Sequence, residues 1–284
     1  MSAEPTQHFI ESQRLRLSYW DWGNEGAPLI LLVHGGRDHS RSWDRIAAAF
    51  RDDYHVIALD LRGHGDSEWS IGGAYSLPDN TLDLVRVIEQ VGGPAHVIAH
   101  SYGGGVTLLA AGSYPEHFAS LAVIEGTHSL NPRDVEMGPG WVQQWGDRLR
   151  SFEAMSPVVY PDLGAAELRV REANPRLPHD FTPHLTEWAA RAVEGGYVWK
   201  YDWWVNARTS MEIRREELPV FWAAIECPVV LLFARETHTS QRLDAEQFFQ
   251  NASTVFIEES GHWAHHEQPE AVLAAIRPFF ERHS

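Results

Sequence analysis

Ser101 has the setting in this 284-residue chain that best suits covalent chemistry. It stands in Ala99-His100-Ser101-Tyr102-Gly103, where an apolar run at 96–100 gives way to a helical pattern at 104–113. This is one residue away from G-x-S-x-G, the pattern of a sharp strand-to-helix turn that presents a serine hydroxyl. Gly103, Gly104 and Gly105 keep the helix side small, and Ala99 replaces the usual first glycine. A helix N-terminus behind Ser101 favours negative charge developing there. A serine at a helix start commonly serves only as an N-cap. Its position after an apolar strand, a third of the way along the chain, argues for catalysis as well.

Elements able to hold such a turn recur along the chain. Short apolar runs at 15–20, 29–33, 55–59, 96–100, 121–125, 229–233 and 254–257 read as strands. Several are continuous rather than alternating, as in parallel sheets buried on both faces. Helical patterns at 43–50, 81–91, 104–113, 242–249 and 269–281 separate them, with Pro269 in a first turn that tolerates it. The alternation predicts an α/β fold, a doubly wound, mostly parallel sheet. It breaks between Gly126 and Glu226, a stretch holding seven of the twelve tryptophans, Trp141, Trp145, Trp188, Trp199, Trp203, Trp204 and Trp222. Helical stretches near 141–152, 165–173 and 183–193 lie there. The expected organisation is a core at 1–126, an inserted helical cap at 127–226 and a second core part at 227–284.

Composition narrows the function classes. The formal net charge is -16, which repels nucleic acid and anionic membrane faces. The same charge disfavours strongly anionic substrates, an effect that Arg37 and Arg41 would offset locally. Cys227 is the single cysteine, so no intramolecular disulfide forms and nothing points to an oxidising compartment. The first residues contain no apolar signal core, and no run approaches the roughly 18 apolar residues of a membrane span. These features lead us to expect a cytoplasmic monomer or homodimer acting on a small molecule.

The resemblance then becomes specific. Val33-His34-Gly35-Gly36, Asp60-Leu61-Arg62-Gly63-His64-Gly65-Asp66-Ser67, the Ser101 turn, and Ser260-Gly261-His262-Trp263 with Glu267-Gln268-Pro269-Glu270 follow one another in order. Over about 15–280 the chain resembles the α/β-hydrolase family. The resemblance implies a serine esterase-like enzyme with Ser101 as nucleophile and His262 as general base. Its oxyanion hole would be formed by the backbone N–H groups of Tyr102 and Gly36. His34 and the Asp60–Ser67 motif are expected to brace loops. His265 and His266 do not form a metal motif with His262, since helical i, i+4 spacing is lacking and no cysteine is near. No phosphate loop is present, so neither a metal nor an organic cofactor is expected.

The acid departs from the commonest family pattern, which places an Asp after the strand at 229–233. Thr237 stands about there. Some members carry the acid after the preceding strand, which here ends in Glu125-Gly126. A carboxylate at the C-terminal edge of a central strand faces the crevice that Ser101 would occupy. Glu125 is therefore the expected acid, within about 3.2 Å of a His262 ring nitrogen, and Glu236 is the alternative. The expected activity is cleavage of a carboxylic ester or related acyl bond in a small to medium apolar substrate. The cofactor-free dioxygenases of this fold, which share a His–acid dyad, are the competing reading. A non-catalytic binding protein has no need for all three groups, and haloalkane dehalogenases use an Asp nucleophile where this chain has Ser101.

Overall fold

The computed structural model describes residues 4–73, 75–127, 139–207, 213–214, 216–237 and 244–283. Eight strands make the main sheet: β1 (Thr6–Ser12), β2 (Leu15–Asp21), β3 (Leu29–Val33), β4 (His55–Leu59), β5 (Ala95–His100), β6 (Phe118–Ile124), β9 (Val229–Ala234) and β10 (Ala252–Ile257). Their spatial order is β1-β2-β4-β3-β5-β6-β9-β10. The pairings β1–β2 and β2–β4 are antiparallel and the rest are parallel. Two further strands, β7 (Ala190–Val193) and β8 (Gly196–Trp199), form a separate antiparallel hairpin.

The continuous apolar runs follow from burial on both faces. Leu29, Leu31 and Val33 of β3 join a cluster with residues of α2 (Leu77–Val91) and α3 (Ser101–Ser113). Ile30 and Leu32 join the opposite cluster, with residues of α1 (Asp44–Phe50) and α9 (Pro269–Glu281). Each such side chain contributes about 1.5–3 kcal/mol on burial. Register then fixes the site. Val33 pairs with Ala99, Ala99 with Val123, and Val123 with Leu231, so β3, β5, β6 and β9 end level with one another. The residues that follow, 34–36, 101, 125 and 235–237, leave the sheet at one edge.

Several expectations differ in detail. β1 was not expected, because TQHFIES is largely polar and exposed and only Ile10 and Ser12 are buried. β6 ends at Ile124, so Glu125 lies just beyond the strand. The helix expected at 81–91 begins at Leu77, where Ser76 caps it reciprocally with Asp79. The helical stretch expected at 183–193 is a helix only through Ala189, as α6 (Thr182–Ala189). It then turns into β7, and Gly195 with φ of 86° supplies the reversal into β8. In the helix expected at 242–249, residues 242 and 243 lie outside the described residues, and Ala245–Phe248 forms a 3-10 turn.

Between β6 and α7 (Leu218–Ala223) the described residues also include α4 (Pro139–Glu153) and α5 (Leu163–Ala173). This segment docks on the loops that leave β3 and β4. His39 Nε2–H donates to the Leu185 carbonyl at 3.0 Å, the Asp202 N–H donates to the Gly63 carbonyl at 2.8 Å, and Tyr75 donates to Asp202 at 2.5 Å. Among the described residues no helix is long and apolar enough to cross a membrane.

Candidate active site

The turn at Ser101 is held by close packing. His100 is extended, and Ser101, the first residue of α3, has φ of 51°. A non-glycine residue in the left-handed region costs on the order of 1–3 kcal/mol and persists only where its surroundings impose it. Here they do. A Cβ on Gly103 would lie 2.4 Å from the His34 carbonyl oxygen, and one on Gly104 would lie 2.7 Å from Gly126 Cα. The first turn of α3 is therefore pressed between the loop after β3 and the bend after β6. That bend carries Glu125, also left-handed at φ of 53°.

The structure brings Ser101, His262 and Glu125 together. His262 Nε2 lies 2.9 Å from Ser101 Oγ, and His262 Nδ1 lies 3.3 Å from Glu125 Oε2, slightly beyond the expected reach. The Glu125 side chain is fully buried. Its Oε1 accepts from the Ala234 N–H at 2.8 Å, and its Oε2 accepts from the Thr237 hydroxyl at 2.7 Å. Burial pushes this carboxyl upward, but hydrogen bonds from His262, Ala234 and Thr237 outweigh that and hold it below the ordinary glutamate value. It is ionised at neutral pH. Glu236 points elsewhere, into an exposed ion pair with Arg176.

Three residues make supporting contacts that were not anticipated. Thr237, read only as the residue standing where an Asp is usual, donates to Glu125. Glu267 accepts from the Gly261 N–H at 2.7 Å and the Trp263 N–H at 3.3 Å, clasping the backbone on both sides of His262. His100 Nε2–H donates to the His262 carbonyl at 2.7 Å. The Ser–Gly–His motif and the residue before Ser101 were visible in the sequence. Which of their atoms meet depends on β5 and β10 reaching the same sheet edge.

Gly36 and Tyr102 line one cavity of about 540 Å³ with Ser101 and His262. A Cβ on Gly36 would sit 3.8 Å from Tyr102 Cβ, so the two backbones are neighbours. Tyr102 is pinned, accepting from Asn80 at 2.8 Å and donating to the Tyr75 carbonyl at 3.1 Å. The motif residues brace this wall. His34 Nε2 accepts from the Leu61 N–H at 3.0 Å, Asp60 accepts from the Ser40 N–H at 2.7 Å, and Arg62 pairs with Asp83 at 2.6 Å. Burial and the neighbouring His64 hold His34 well below the usual histidine value, which suits a neutral brace. Arg41 is spent on Asp44 at 2.6 Å and stacks on Trp188, so it adds no charge to the cavity. Among the described residues Asp38, His100 and His265 form the group whose metal-ligating atoms all come within 4.8 Å of one another.

The model of the alpha/beta hydrolase family matches residues 30–275 of the chain. The serine hydrolase-like protein of Danio rerio is 27% identical over 93% of this chain and 84% of its own length. Epoxide hydrolase A of Mycobacterium tuberculosis is 25% identical over 97% of each. Among solved structures, the thioesterase domain from the curacin biosynthetic pathway superposes with a TM-score of 0.86 at 22% identity, covering 97% of this chain and 100% of that one. The sheet order, the family match and these relatives agree: the chain belongs to the alpha/beta hydrolase family and is a hydrolase.

Proposed function

We propose that the chain is a serine hydrolase that cleaves a carboxylic ester or related acyl bond through an acyl-enzyme. The hydrogen-bonded series Ser101 Oγ, His262, Glu125 carries this reading. His262 Nε2 takes the Ser101 proton as Oγ attacks the carbonyl carbon, and Glu125 steadies the imidazolium that forms. The N–H groups of Gly36 and Tyr102 stabilise the oxyanion, each worth about 2.7–4 kcal/mol. The imidazolium protonates the leaving group. Water, deprotonated by the same histidine, then releases the acid. The name of the Danio rerio relative accords with a serine mechanism.

The segment 127–226 acts in this reading as a cap that limits access. A cavity of about 540 Å³ suits a small to medium acyl substrate. Of the seven tryptophans of this segment, Trp199 lines it, whereas Trp222 is buried in the core, stacked on Phe249 at 5.5 Å. Trp199→Ala is expected to change KM and acyl-chain preference, with a small loss of stability. Trp222→Ala is expected to cost about 3–5 kcal/mol in urea unfolding. Equal melting shifts with unchanged chain-length preference would remove the pocket role of Trp199.

A panel of p-nitrophenyl esters of graded length, assayed with and without oxygen, tests the reading. Hydrolysis at the same rate under anaerobic conditions is expected. Oxygen uptake with a hydroxyquinolone-type substrate and no ester cleavage would favour the dioxygenase class instead.

A further inference from the structure

The charged groups on the cavity wall run against the charge of the whole molecule. Arg37, Arg62, Arg169 and Asp38 are the Arg, Lys, Asp and Glu residues lining it, among the described residues. Arg62 is neutralised by Asp83, with hydrogen bonds of 2.6 and 2.9 Å. Asp38 is buried, and its carboxylate is engaged by the His39 N–H at 2.9 Å and the Ser42 hydroxyl at 3.0 Å. Burial also raises its pKa to about 7, which weakens its negative charge at neutral pH.

Arg37 and Arg169 remain. Arg37 follows Gly36 directly, is exposed, and is held at φ of 63°. Left-handed backbone at a non-glycine residue clusters at ligand clamps. Its guanidinium acts electrostatically on Tyr201, another lining residue, and it makes no ion pair among the described residues. Arg169 comes from α5. Its one ion pair there, to Glu172, is 3.5 Å long and solvent-exposed, so it is weak. A chain of net charge -16 thus places two available guanidinium groups on the wall of the cavity that holds Ser101 and His262.

From this arrangement, and resting on the serine-hydrolase reading, we infer that the substrate carries a free carboxylate besides its scissile acyl bond, bound by Arg37 and Arg169. A guanidinium presents paired N–H donors that match a carboxylate edge-on. The apolar stem of the substrate lies along Val170, Leu177 and Trp199, which line the same cavity. The local offset expected of Arg37 is the relevant one here, because a cavity wall sets the field its ligand feels more than distant, screened surface groups do.

Calorimetric titration of the wild-type protein with adipate, and with adipamide as its neutral counterpart, tests this without requiring turnover. Adipate is expected to bind more tightly. Arg37→Gln and Arg169→Gln should each weaken adipate binding by about five- to tenfold, between an exposed ion pair and a charge-assisted hydrogen bond, without the same loss for adipamide. Mono-p-nitrophenyl adipate should exceed its methyl-capped ester in kcat/KM, and that ratio should fall toward one in both variants. Equal binding of adipate and adipamide, or adipate binding indifferent to both substitutions, overturns the inference while ester turnover still supports the serine-hydrolase reading. Arginine-dependent adipate binding with neither ester cleaved upholds the anion site and counts against that reading.

Discussion

Ser101→Ala is expected to lower kcat/KM for a p-nitrophenyl ester by about 10³-fold or more. The side chain loses one oxygen, and its backbone stays in the left-handed turn imposed by Gly103 and Gly104. His262 then has no hydroxyl at Nε2 to deprotonate, where it now has one at 2.9 Å. The residual rate should come from the oxyanion donors and from binding. The melting temperature should stay close to wild type, because no packed apolar group is removed. Steady-state kinetics alongside thermal unfolding check both halves. An alanine variant with near-native turnover would transfer the chemistry to another group.

Glu125→Gln is expected to lower kcat by up to about 10⁴-fold with KM nearly unchanged, the scale found when a triad acid is neutralised with its geometry kept. Glutamine fits the same volume, and its amide oxygen can still accept from the Ala234 N–H. Its NH₂ group then faces His262 Nδ1, and a donor there favours the imidazole tautomer that cannot take the Ser101 proton. The loss of a buried, hydrogen-bonded charge should also cost about 1–3 kcal/mol of stability. Glu236→Gln should change activity less than twofold, because Glu236 only pairs with Arg176 in solvent. The opposite ranking of the two variants would move the acid to Glu236.

Much of the architecture was legible because burial leaves a direct mark on sequence. β3, β5 and β9 are apolar at nearly every position since both faces are covered, and their runs were visible as strands. Strands whose exposure is mixed left no such mark. β1 is mostly polar, and β7–β8 is a four-residue-a-side hairpin whose strands pair with one another outside the main sheet. Glu125 stood out as a candidate for a related reason. A glutamate directly after an apolar strand is conspicuous, and Thr237 left the usual place empty of charge.

The contacts that hold the site were not legible, since they join residues far apart in sequence. Thr237 reaches Glu125 across 112 positions, and His100 reaches the His262 carbonyl across 162. Their geometry depends on β5, β6, β9 and β10 ending at one edge, which is a property of register. The same limit applies to charge. A net value of -16 says nothing of where Arg37 and Arg169 stand, and only the structure shows that both line this cavity.

The central claim is that Ser101 forms the covalent intermediate. The most direct measurement is to treat the native protein with an activated alkyl phosphonate and map the adduct by peptide mass spectrometry. One phosphonyl group per chain is expected, on the peptide containing Ser101, with ester hydrolysis lost in proportion to labelling and no labelling of Ser101→Ala. Stoichiometric labelling of a different residue, or full loss of activity with Ser101 unmodified, would contradict the account.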